Sequence, residues 1–67
     1  MKIILNDKNF TVDAKSTISE FLRVESIETP EGVALAIDNK VVPRTKWEST
    51  NLADGNKLVL ISAAQGG

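Results

Sequence analysis

Only one stretch of this 67-residue chain carries a helical pattern, and almost everything around it reads as strand or turn. Ile18, Phe21 and Leu22 fall at i, i+3 and i+4 and so share one apolar helix face. Thr17 followed three residues later by Glu20 forms a capping box, in which each side chain satisfies the other residue's backbone N–H. The pattern predicts a short helix that ends near Val24 to Ser26, because Thr29 precedes a proline and Gly32 permits positive φ. A lone short helix cannot bury its stripe on another helix, so it has to cover one face of a sheet. The fold class is therefore α+β, a small mixed sheet of four to five strands packed on one short helix.

The strands follow from local pattern. Lys2 to Asn6 is β-rich and bounded by polar residues, Asp7-Lys8-Asn9 supplies turn chemistry, and Phe10 to Asp13 alternates as a returning hairpin arm. Val33 to Ile37 is a second clear strand with large and small residues alternating. Asp38-Asn39-Lys40 turns the chain into a short strand at Val41-Val42, which Pro43 places at an edge or a strand end. Thr45 to Asn51 reads as one irregular turn holding Trp47, a large aromatic expected to lid the small core, and Asp54-Gly55 is a turn before the last strand, Lys57 to Ser62.

Side chains alternate along a strand, so parity sorts these residues. Ile3, Leu5, Phe10, Val12, Leu35, Ile37, Leu58 and Leu60 are expected to face Ile18, Phe21 and Leu22. Ile4, Val59 and Ile61, with Ala34 and Ala36, are expected to face away. A contiguous outward apolar group marks a partner site or reflects strand propensity on a half-wet sheet, and parity does not separate the two.

Composition narrows the function. Sixty-seven residues make one domain, which buries only about 60% of its unfolded surface. The chain has no cysteine and no histidine, so no Ser-His or Cys-His pair exists and the common zinc ligand sets are missing. It also lacks a G-x-x-x-x-G-K-[ST] phosphate loop. Ser16, Thr17 and Ser19 sit at a helix start, where capping explains them. Eight basic and nine acidic residues, spread along the chain, give no basic face for nucleic acid or an anionic membrane. Apolar runs are far too short to span a bilayer, and no signal peptide is visible. The expectation is a cytoplasmic protein that is not itself an enzyme.

The sequence finishes with Ala63-Ala64-Gln65-Gly66-Gly67 directly after the last strand. Residues 1–62 are expected to form the domain and residues 63–67 an extended flexible tail. Glycine has no Cβ, so such a segment passes close to another surface or down a narrow channel. A terminal Gly67 carboxylate would then be presented to another protein's active site; a frayed end is the plain alternative.

The element order together with Gly66-Gly67 resembles the β-grasp fold of ubiquitin and its prokaryotic relatives. More closely, the chain resembles the ThiS family of sulfur carriers of thiamin (thiazole) biosynthesis. The resemblance rests on Ile3 to Asp7, Ala34-Leu35-Ala36-Ile37-Asp38, Val42-Pro43-Arg44 with Trp47 three positions on, Asp54-Gly55, and the diglycine. The Val-Pro-Arg-x-x-Trp segment is the most discriminating part. Asn56 stands where the family usually has an acidic residue, and Val59 is more apolar than its usual counterpart.

The resemblance implies that the first and last strands lie parallel at the sheet centre, so that Ile4 would adjoin Val59 and Ile61. It implies that the Gly67 carboxylate, ionised at neutral pH with a reference pKa of about 3.5, attacks the α-phosphorus of ATP on a ThiF-like adenylyltransferase. A cysteine desulfurase relay would then supply sulfur to give a thiocarboxylate, and a ThiG-like thiazole synthase would take it. ATP is consumed by the partner, and no cofactor is held stably. Gln65 and Gly66 would be tail residues the partners require; five extended residues reach roughly 17 Å. Ile4, Val59, Ile61 and Arg44 are the candidate partner surface, although a solvated arginine explains Arg44 equally well. A molybdopterin-type or other sulfur carrier, a ubiquitin-like protein modifier and a plain interaction module remain alternatives.

Overall fold

The computed structural model describes residues 1–62. The expected tail, with Gln65, Gly66 and Gly67, lies outside the described residues. The elements run β1 (Lys2–Leu5), β2 (Lys8–Thr11), α1 (Ile18–Val24), β3 (Val33–Ile37), β4 (Lys40–Val42), a 3-10 turn at Arg44–Lys46, and β5 (Lys57–Ser62). They form one five-stranded sheet in the order β2-β1-β5-β3-β4. β1 and β5 are parallel, and β1–β2, β3–β4 and β3–β5 are antiparallel. The central parallel pair implied by the resemblance is present.

Both hairpins are tighter than the sequence suggests. Leu5 pairs with Lys8 and Ile37 with Lys40, so each loop has two residues rather than three. The loop residues Asn6 (φ 48), Asp7 (φ 69), Asp38 (φ 48) and Asn39 (φ 74) all lie in the left-handed region. Positive φ at both central positions matches the twist of the flanking strands, and Asn and Asp tolerate it better than other side chains. Lys8, Asn9 and Lys40 therefore belong to strands and not to the turns.

The helix begins as its sequence predicts. Thr17 Oγ1 accepts from the Glu20 N–H at 3.1 Å, and Glu20 Oε1 accepts from the Thr17 N–H at 2.9 Å. It ends on Ser26 at φ 56, with the Ser26 N–H donating to the Arg23 carbonyl and the Ile27 N–H to the Leu22 carbonyl. This is the Schellman arrangement with serine where glycine is usual.

The helix covers one sheet face. Ile3, Leu5, Ile18, Phe21, Leu22, Leu35, Trp47, Leu52 and Leu58 form the core, with Phe10, Val12, Ile37, Val42 and Leu60 packed partly against it. Phe10 meets Phe21 edge-on with ring centroids 5.2 Å apart. Trp47 is buried as a lid, and its indole N–H donates to the Val42 carbonyl at 2.9 Å. Leu52 is a core residue that periodicity does not reveal, since it is a single large apolar side chain in a segment without a repeating pattern. It is drawn in because the segment after β4 is laced to the helix entrance: the Ile18 N–H donates to the Thr50 carbonyl at 3.0 Å and the Leu52 N–H to the Ser16 carbonyl at 2.8 Å.

Candidate functional site

β5 places residues 57, 59 and 61 on the face away from the helix and leads straight to residue 63. On that face Val59 lies opposite Ala36, Ala36 opposite Val41, and Ile61 opposite Ala34. Val59 is 39% exposed, Ile61 47% and Val41 66%. The two alanines between the larger side chains keep the relief low, so β5, β3 and β4 together carry one shallow apolar strip. Val41 was not among the outward residues read from sequence. The signal for it is the turn: once Asp38-Asn39 is recognised as a two-residue loop, Val41 must fall beside Ala36.

Ile4 has the expected parity but a different neighbour. Its Cα partner on β5 is Lys57, and on β2 it is Asn9. Val59 is one diagonal step away, while Ile61 lies four residues past Lys57, about 13 Å further along the strand. The parallel register therefore puts half-buried Ile4 at the polar margin of the strip rather than beside Ile61. Lys2, sharing the parity of Ile4, completes that margin with Lys57 and Asn9.

Arg44 stands elsewhere. Its Nη1 donates to Thr29 Oγ1 at 3.3 Å, its Nη2 donates to the Pro30 carbonyl at 3.0 Å, and its guanidinium lies 4.7 Å from the centre of the Trp47 ring. With Trp47 it lines an open groove shared with Ser19, Leu22 and Arg23 of the helix. The structure thus groups Val59 and Ile61, sets Ile4 at their edge, and places Arg44 on the helix side, holding down the loop before β3.

Both ends of β5 are held by Asx side chains. At its start, Asp38 Oδ1 accepts from the Lys57 N–H at 3.0 Å and Oδ2 accepts from Asn56 Nδ2 at 2.8 Å. Asn56 Oδ1 in turn accepts from the Ala53 N–H at 2.7 Å. A carboxylate at position 56 would have no proton to offer Asp38, which accounts for the amide there. Near its end, Asn6 Oδ1 accepts from the Leu60 N–H at 2.9 Å. Among the described residues no three His, Cys, Asp or Glu side chains cluster to hold a metal ion, and no helix is long and apolar enough to cross a membrane. What the described globule offers is an exposed apolar strip on the sheet face away from the helix.

The sequence pattern of the ThiS family matches residues 3–67. The chain is 33% identical over 67 residues to the sulfur carrier protein ThiS of Escherichia coli (strain K12), with 100% of each covered. It is also similar to the crystal structure of a thiamine biosynthesis protein (ThiS) from Geobacter metallireducens, with a TM-score of 0.84 and 25% identity over the whole of both chains. Against a solution structure of a thiamine biosynthesis protein from the same organism the TM-score is 0.69, covering 100% of this chain and 88% of the other.

Proposed function

The chain belongs to the ThiS family, and from that premise we propose that it is a sulfur carrier of thiamine biosynthesis, a co-substrate for partner enzymes and not a catalyst. The observation that carries this reading is the match to a sulfur carrier along the full length of both chains. An exposed apolar strip on the strand that runs into residues 63–67 supports it.

In the proposed reaction a Gly67 carboxylate oxygen attacks the α-phosphorus of ATP on a ThiF-like adenylyltransferase, and pyrophosphate leaves. The acyl carbon of the resulting adenylate is then attacked by a persulfide sulfur from a cysteine desulfurase relay, and AMP leaves. The bond formed is C–S; a thiol then cleaves the S–S bond that came with the persulfide, leaving as a disulfide with the donor cysteine and releasing the thiocarboxylate. A ThiG-like thiazole synthase takes the sulfur, and an oxygen from water or from the sulfur acceptor replaces it on the acyl carbon, so that the carboxylate returns. Gly67 carries the reacting carbon without a side chain, and Gly66 and Gln65 are the tail residues the partner channel holds. The partner consumes the ATP, and a cytoplasmic setting suits both the chemistry and a chain without cysteine.

Ordering a segment on docking costs about 1–2 kcal/mol per residue, so docking needs a compensating surface. Burying a Val or Ile side chain fully contributes about 1.5–3 kcal/mol. Val41, Val59 and Ile61, each already partly covered, therefore supply only roughly 2–4 kcal/mol together, and the partner's channel must contribute contacts of its own. Intact-mass measurement after co-expression with the adenylating and sulfur-donating enzymes tests the reading. The expected result is a mass gain equal to one oxygen replaced by sulfur, lost on deletion of Gly67. A ladder of larger conjugates would instead identify a protein modifier, and no change in any condition would remove the carrier reading.

A further inference from the structure

β1 ends at Leu5, yet the parallel ladder against β5 continues for one more rung. The Ile4 N–H donates to the Asn56 carbonyl and the Asn6 N–H to the Leu58 carbonyl, each at 3.0 Å. In a longer strand the next acceptor, for the Leu60 N–H, would be the carbonyl of residue 6. Here the chain has turned away at Asn6, φ 48, and the side-chain Oδ1 takes that place at 2.9 Å. On its other side β5 stays paired with β3 as far as Ser62. Asn6 therefore makes the last described hydrogen bond on the β1 side of β5, to Leu60, with Ile61 and Ser62 following in the strand.

We propose that Asn6 is a positioning residue, which clamps β5 at Leu60 and so fixes the direction of the strand end, Ile61 and Ser62, that the partner enzyme meets. The proposal rests on the carrier reading for its functional consequence, but the clamp is a property of this chain. Asn6 is exposed and makes this bond with its side chain alone, so it can be altered without touching the core. Its backbone sits where glycine is at ease, so Asn6→Gly keeps the turn and removes only the acceptor. Asn6→Asp keeps both, since a carboxylate oxygen also accepts and Asp tolerates positive φ.

Two measurements on the full chain decide the matter. In Asn6→Gly, exchange of the Leu60 amide is expected to accelerate about 2- to 10-fold, the range set by loss of one neutral hydrogen bond, while amides shared between β3 and β4 hold their rates. With the adenylating enzyme, KM for the carrier is expected to rise by a similar factor at unchanged kcat, and Asn6→Asp is expected to restore the wild-type KM. Unchanged Leu60 exchange, an unchanged KM despite faster exchange, an Asn6→Asp variant that behaves like Asn6→Gly, or a loss confined to kcat would each overturn the proposal. Failure of the wild-type chain to be adenylated would instead overturn the carrier reading and the functional role of Asn6 with it, whereas wild-type adenylation with an indifferent Asn6→Gly would overturn the clamp alone.

Discussion

The two faces of the sheet are built from the same strands and the same residue classes, yet one is buried and the other stays exposed. Toward the helix, Ile3, Leu35 and Leu58 are 0% exposed and Leu5 is 6% exposed. One residue along from Leu58 and Leu60, on the other face, Val59 and Ile61 remain 39% and 47% exposed. Period-two alternation separates the sets, but it does not decide which becomes core. Cover does: the seven-residue helix and the Trp47–Leu52 segment suffice for one face only. Among the described residues there is no second helix to spare, so apolar residues on the uncovered face contribute little to folding and stay exposed.

That contrast can be tested by altering neighbours of opposite parity. Leu58→Ala should cost about 2–5 kcal/mol, a large part of what a chain this short can hold, and denaturant titration should show it largely unfolded or near its midpoint in mild denaturant. Ile61→Asp, only three positions on, should weaken binding to the adenylating enzyme at least tenfold by calorimetry while shifting Tm by a few degrees at most; comparable losses in both would place Ile61 in the core. Asn56→Asp should cost about 1–3 kcal/mol at neutral pH, because Asp38 loses its amide donor and faces a second carboxylate. Arg44→Ala should have the smallest effect, under about 1 kcal/mol, with faster exchange in the loop before β3 and no change in partner affinity. A large affinity loss there would show that the helix-side groove also meets the partner.

Much of this architecture is legible locally. The capping box at Thr17 and Glu20, the stripe Ile18, Phe21 and Leu22, and the parity of β1, β3 and β5 are all read within a few residues of one another, and each is realised. The first turn moves from residues 7–9 to Asn6-Asp7 and the second shortens from 38–40 to Asp38-Asn39, because all four loop residues take left-handed backbone that composition alone does not place. Leu52 is hidden because a solitary leucine has no period, and only the lacing of Thr50 and Leu52 to the helix entrance buries it. Gln65, Gly66 and Gly67 lie outside the described residues, so their part in the site rests on the sequence.

The sequence by itself determined what each segment becomes and which of its side chains share a face, because helix and strand periods are properties of neighbouring residues. Only the tertiary structure decided which residues meet across the sheet: Ile4 beside Lys57, Val41 beside Ala36, and Arg44 turned in against Trp47 on the helix side. Those pairings depend on register, loop length and the docking of distant segments, all of which arise when the chain packs against itself.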